Sequence, residues 1–102
     1  MNAENIVLVA RLKVKDGAVV EAKKLALSLV APSRAEAGCI NYDIHQAIDD
    51  ETVFVWHETW TNKAAIDEHF EKPFFLEFFA KVQEIAAEPP LIMLTKMISE
   101  NG

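Results

Sequence analysis

The chain has 102 residues, of which 51% are hydrophobic, and a formal net charge of −6 at pH 7. That length fits one domain, and that apolar share marks a folded chain rather than a disordered one; the acidic balance, with lysines and arginines scattered and no more than two together, excludes the phosphate-neutralising stripe of a nucleic-acid binder. A lone cysteine excludes an internal disulfide, and the absence of a long apolar run or a basic-then-apolar leader predicts a cytoplasmic protein that does not enter a membrane.

Asn5 to Val14 alternates as a strand, with Ile6, Leu8, Ala10, Leu12 and Val14 on one face. Val7 and Val9 begin the other face, which ends in Arg11 and Lys13. Lys15-Asp16-Gly17 reads as a turn. Helical spacing then runs from Ala18 to about Glu36, with Ala22, Leu25, Leu29 and Pro32 near one stripe. Pro32 should bend or interrupt that helix, because it removes a backbone donor and crowds the preceding turn. Gly38 ends the segment.

Cys39 to Ala47 is a second strand, Asp49-Asp50-Glu51 an acidic turn, and Thr52 to Trp60 a third strand, so the two strands form an antiparallel hairpin. Thr61-Asn62 supplies capping oxygens for a helix from Lys63 to Phe70. Pro73 suits the first turn of the next helix, which carries Phe74, Phe75, Phe78, Phe79, Val82 and Ile85 at helical spacing. Pro89-Pro90 stops it, and Leu91 to Ile98 is the last strand. The order β-α-β-β-α-β predicts an α+β fold, the ferredoxin-like split βαβ with an antiparallel sheet, as a single domain over residues 1–102.

The strands are apolar on both faces. Val53 and Val55 lie opposite the aromatic face of the third strand, and the last strand divides Leu91, Met93 and Met97 from Ile92, Leu94 and Ile98. Helices cover only one face in this topology, whereas an antiparallel sheet with a wet face alternates cleanly. The economical cover for the second face is the same sheet from another copy, so the chain is expected to be a homodimer joined through its sheet faces.

Candidate chemistry centres on the third strand. Phe54, Trp56, Glu58 and Trp60 share a face, which sets a carboxylate among three large rings. Such a carboxylate resists ionising unless hydrogen-bonded or paired with a cation. His69 follows on the next helix, on the apolar face of Ala65 and Ile66, and is a plausible partner. Glu58 is either a proton acceptor or substrate anchor, or a carboxylate tying the strand to a loop or a partner chain. His69 is either a base or a satisfied core histidine. On strand two, Tyr42 shares a face with Ile40 and Ile44, while His45 shares the opposite one with Asn41 and Asp43; without a bulge they cannot line one cavity. Tyr42 is a pocket candidate, and His45 is a pocket candidate or an interface hydrogen-bonder. Trp56 reads as core, and Trp60 ends the strand where a pocket mouth would lie. The phenylalanine stripe reads as core. Cys39, with no cation close in sequence, reads as a small buried hydrophobe. No metal-ligand spacing and no phosphate-cradling glycine loop is present, so no metal or cofactor is expected. An apolar, aromatic-lined cavity with one or two titratable groups suits a small planar aromatic such as a quinol.

Glu58-x-Trp60, eight residues, His69, three residues and Pro73 form a spacing that resembles the antibiotic biosynthesis monooxygenase family. The run Ala37-Gly38-Cys39-Ile40-Asn41-Tyr42-Asp43-Ile44-His45-Gln46 is similar to that family's Gly-Cys…Tyr…His strand, and the likeness extends from Val7 to about Met97. The resemblance implies a dimeric α+β barrel built from two sheets packed face to face. It also implies cofactor-independent monooxygenation, in which a base turns a phenol into a phenolate that itself reacts with O₂. It points to Glu58, Trp60 and His69 as site residues. Phe74 departs from the pattern, since many relatives carry His directly after this proline; the change removes a possible second base and should make the cavity more apolar. Haem-degrading relatives place a ligand His where this chain has Phe79, which disfavours haem. The family is functionally mixed. A quinol or aromatic monooxygenase is the leading expectation; an isomerase or other small-molecule-processing enzyme like the autoinducer-processing members, and a non-catalytic ligand-binding stress protein, stay open beside it.

Overall fold

The computed structural model describes residues 5–99, so the domain expected over 1–102 reaches past the described residues at both ends. Four strands, β1 (Ile6–Lys13), β2 (Cys39–Gln46), β3 (Val53–Trp60) and β4 (Leu91–Thr95), form one sheet in the order β2-β3-β1-β4. Every pairing is antiparallel. Four helices, α1 (Val19–Ser28), α2 (Val30–Arg34), α3 (Lys63–Phe70) and α4 (Pro73–Ile85), complete the predicted α+β ferredoxin-like fold.

The strands form where the two-residue alternation sets them. Leu8, Ala10 and Leu12 of β1 stand beside Glu58, Trp56 and Phe54 of β3, all toward the helices. Leu8, Leu12, Phe54, Trp56 and Trp60 are buried there with Ala22, Ala26 and Leu29 of the first helical segment and Val82 and Ile85 of α4. Val14, expected at the end of β1, instead bridges to Ala86, and the Ala87 N–H donates to the Lys13 carbonyl at 2.8 Å. These bonds fasten the end of α4 to the end of β1.

The helix expected over 18–36 is two helices after a short 3₁₀ turn (Asp16–Ala18). The break falls at Leu29, one residue after Ser28, whose carbonyl would have received the hydrogen bond that Pro32 cannot donate. Helix α2 stops at Arg34, which leaves Glu36 in the turn before β2. Helix α3 starts as expected, with the Asn62 side chain accepting from the Ala65 N–H at 2.9 Å. Pro73 takes the first turn of α4.

Two strand expectations need correction. The last strand ends at Thr95 rather than Ile98, because β1 offers pairing partners only from Val7 to Arg11 on that side. Strand β2 carries a bulge between Cys39 and Asn41, so Ile40 is the extra residue and does not share Tyr42's buried face. From Asn41 onward the parity runs unbroken, and Tyr42 and His45 stay on opposite faces. Strand β4 is an edge covered on neither side: Leu91 and Met93 are 54% and 48% exposed on one face, Ile92 and Leu94 44% and 42% on the other. No described helix is long and apolar enough to cross a membrane.

Candidate active site

Strand β3 aims Glu58 at the helices, where it is 3% exposed. Its carboxyl receives one side-chain hydrogen bond, from the Trp60 indole N–H to Oε1 at 2.8 Å. Burial pushes the Glu58 pKa up from the ordinary 4.5 to about 7; the Trp60 hydrogen bond opposes the rise and the charge of Glu36 adds to it. Among the described residues no cation compensates, so this carboxyl exchanges its proton near neutrality. Tyr42 faces it directly across the β2–β3 pair. The Tyr42 hydroxyl accepts from the Trp56 indole N–H at 3.1 Å, and burial, reinforced by the Glu58 charge, raises its pKa. The Ser33 hydroxyl is buried near that phenol without a well-formed hydrogen bond.

Glu58 and Tyr42 are polar groups in a cavity between the sheet and α4, walled by Leu8, Trp56, Phe70, Phe75 and Phe78 among others. Its free volume is about 50 Å³. That holds a few water molecules but falls short of the roughly 300 Å³ at which small-molecule sites begin. A ring could enter only if side chains withdraw. The partly exposed Phe79 and Ile92, with Pro90 and Arg11, lie along its wall at the β4 side. Arg11 is held there by an ion pair with Glu88 at 2.7 Å.

His69 stands behind this cavity rather than in its lining. It is 1% exposed, with its ring 5.3, 5.5 and 5.8 Å from those of Phe75, Phe70 and Tyr42, all three of which wall the cavity. The Trp60 ring is 4.7 Å away on another side. The expected hydrogen-bonding partner Glu58 is not the one found: Nδ1 of His69 lies 2.7 Å from Oε2 of Glu36. Nε2 is buried with no hydrogen-bond partner among the described residues. Helical spacing in the sequence runs on to Glu36, which hides this carboxylate among helix-end residues. The signal that could have found it is Pro32 and Gly38 bracketing a turn, which frees a carboxylate from helical geometry just before β2.

Trp60, His45 and Phe74 lie outside the cavity lining. Trp60 is wholly buried at the closed end of the site, not at a mouth; it holds Glu58 and packs on His69. His45 is exposed on the far face of the sheet opposite Val55 and does not reach the cavity. Phe74 touches His69 at 6.1 Å between ring centres, but it lines a groove with Leu25 and Leu29, and its neighbour Phe75 occupies the cavity wall. Phe75, Phe78 and Phe79, read as core, are wall residues. The Cys39 thiol is raised to about 11, by burial first and then by the charges of Glu58 and Glu36, so it is no nucleophile at neutral pH. Among the described residues no three His, Cys, Asp or Glu side chains converge as metal ligands.

Known proteins share this arrangement of chain. The model of the family described as "Antibiotic biosynthesis monooxygenase" matches residues 5–81. "Putative monooxygenase YcnE" of Bacillus subtilis (strain 168) is 38% identical over 92 residues, covering 90% of this chain and 97% of that one. "Uncharacterized protein sll1783" of Synechocystis sp. is 36% identical over 92 residues, and there the match spans 90% of this chain but only 63% of the longer relative. The crystal structure of PA3566 from Pseudomonas aeruginosa superposes with a TM-score of 0.90 at 29% identity, covering 97% of this chain and 99% of that one.

Proposed function

This chain belongs to the antibiotic biosynthesis monooxygenase family, and from that premise we propose that it is a cytoplasmic, cofactor-independent monooxygenase that inserts oxygen from O₂ into a small aromatic or quinol substrate. The observation that carries the reading is Glu58: a carboxyl in an aromatic cavity with a pKa of about 7 is matched to take a phenolic proton near neutral pH. In the reaction the substrate O–H bond breaks and the proton goes to a protein base. The electron-rich phenolate then reacts with O₂. One oxygen atom enters the ring, the other leaves as water, and the quinol ends as a hydroxyquinone.

The chain's own residues then divide the work. Glu58 meets one hydroxyl, with Trp60 fixing the carboxyl and Tyr42 across from it. His69 is the second proton-handling group. It stands behind the ring wall of Tyr42, Phe70 and Phe75 and comes into reach when an entering ring displaces one of them. His45 and Phe74 have no place in this scheme, because neither reaches the cavity. The protein acts as one domain over residues 1–102 and as a homodimer joined through the uncovered sheet face.

The test is oxygen consumption with menadiol, measured against its spontaneous oxidation. About one O₂ per quinol should be consumed, and Glu58→Gln and His69→Ala should each lower the rate by ~10²-fold, the scale of a lost general base, while remaining folded. A folded wild-type protein that leaves both menadiol and O₂ untouched would count against the reading. A second reading has its own support: a carboxyl that exchanges protons near neutrality also suits an isomerase moving a proton between carbons. Substrate conversion without O₂ uptake would favour it.

A further inference from the structure

We infer, building on the site reading above, that Glu36 is a positioning residue: it accepts the Nδ1–H of His69 and holds the imidazole in the tautomer whose Nε2 is bare and able to take a hydroxyl proton from an aromatic substrate. The geometry begins with the 2.7 Å contact between Nδ1 and the Glu36 carboxylate. With Glu36 as the acceptor, the hydrogen resides on Nδ1 and the Nε2 of a neutral ring carries a lone pair. The two side chains are 1% and 10% exposed, which shields the pair from solvent.

The orphan nitrogen is the second observation. The large majority of buried side-chain polar atoms find a partner, and Nε2 has none among the described residues. If His69 served only to fill the space between Trp60, Phe70 and Phe75, a phenyl ring would do so with no polar atom to satisfy. A carboxylate brought in to grip one nitrogen while the other is left bare is instead the arrangement of an oriented base.

The backbone is built to hold that grip. The Glu36 N–H donates to the Ser33 carbonyl at 3.1 Å, and the Glu36 carbonyl accepts from Cys39 at 3.0 Å. Two residues on, Gly38 lies so close to α3 that an added Cβ would come within 2.4 Å of the Ala65 Cβ. Ala65 and His69 are one turn apart on the same face of α3, so seating Gly38 on Ala65 brings Glu36 level with His69. When Nε2 takes the substrate proton, the O–H bond breaks, an Nε2–H bond forms, and the imidazolium stays paired with the Glu36 carboxylate. Without Glu36 the hydrogen can shift to Nε2, which then cannot accept.

The tautomer is read directly by ¹⁵N NMR of histidine-labelled protein at pH 8, without any turnover. Wild type should show His69 with hydrogen on Nδ1 only, and titration with phenol should move the Nε2 resonance. Glu36→Ala should move the hydrogen toward Nε2, while Glu36→Gln, which keeps an accepting oxygen, should retain the wild-type pattern. With menadiol, Glu36→Ala should lower kcat by ~10-fold or more with little change in KM, and Glu36→Gln should recover part of it. Hydrogen on Nε2 in wild type, or an unchanged Nδ1–H in folded Glu36→Ala, would overturn the inference; should Glu36→Ala not fold, the wild-type and Glu36→Gln spectra decide. If the tautomer pattern holds and menadiol is not oxidised, the monooxygenase reading fails and the positioning role stands.

Discussion

Glu58 sets stability against reactivity within one side chain. Its pKa rises from 4.5 to about 7 on folding, chiefly through burial. Between those values the folded chain keeps a proton that the unfolded chain releases, so this group's contribution to stability is present at low pH and is lost as pH rises through about 7. The full loss is on the order of 3 kcal/mol. Glu58→Gln removes the charge and keeps the oxygen that Trp60 donates to. Its melting temperature should therefore exceed that of wild type by several degrees at pH 8 and differ little at pH 5, as calorimetry at both values would show. A variant no more stable at pH 8 than at pH 5, relative to wild type, would mean that the carboxyl is not held out of water. The proposed activity has the opposite dependence. It should climb between pH 6 and 8 as Glu58 ionises, so the site gains its base as the fold loses this contribution.

Between β2 and α3 the decisive feature is the absence of a side chain. Gly38 has no positive φ to require glycine; the requirement is space, since a Cβ there would meet Ala65 at 2.4 Å and the Thr61 hydroxyl at 3.1 Å. The Thr61 N–H donates to the Gly38 carbonyl at 2.9 Å, so the strand cannot back away without breaking a bond. Gly38→Ala should cost about 1–3 kcal/mol, the usual scale of overpacking. Ala65→Gly in the same chain should restore part of that loss, although glycine in a helix carries its own cost of about 1 kcal/mol. Thermal unfolding of the two single variants and the double variant measures the coupling; additive losses would show that the two residues do not meet.

At the scale of the molecule, the face of the sheet away from the helices asks for a partner. Val7, Val9 and Val55 are half-buried there, and Leu91 and Met93 are largely open on the edge strand. The β2 side of the same face is polar, with the Asn41 amide donating to Asp43 and to the His57 carbonyl. An apolar half beside a hydrogen-bonding half suits a sheet-to-sheet homodimer, which should bury on the order of 2,000 Å² or more. Light scattering at micromolar concentration should give twice the chain mass, and Val55→Glu should abolish the dimer by burying an unpaired charge. A wild-type monomer, or a Val55→Glu dimer of wild-type stability, would place the interface elsewhere.

Local rules decide which residues of β3 face the helices, because a two-residue period turns Phe54, Trp56, Glu58 and Trp60 the same way in any sheet. They likewise decide that Pro32 breaks a helix, that Asn62 caps one, and that Tyr42 and His45 part company. The element order and the buried carboxylate were therefore legible before any coordinates, and the family was legible through the resemblance of the Glu58-x-Trp60, His69 and Pro73 spacing. The partner of His69 was not, since Glu36 lies 33 residues away and is brought in by the seating of Gly38 on Ala65. Nor was the choice of Phe75 over Phe74 for the cavity wall: neighbours on a helix diverge by about 100°, and only the docking of α4 on the sheet selects one. The burial of Trp60 escaped for the same reason, because α3 folds back over the end of β3. Periodicity and capping act within a few residues and are written in any short window of sequence. Contacts across the core depend on how whole elements pack, and no short window of sequence encodes that.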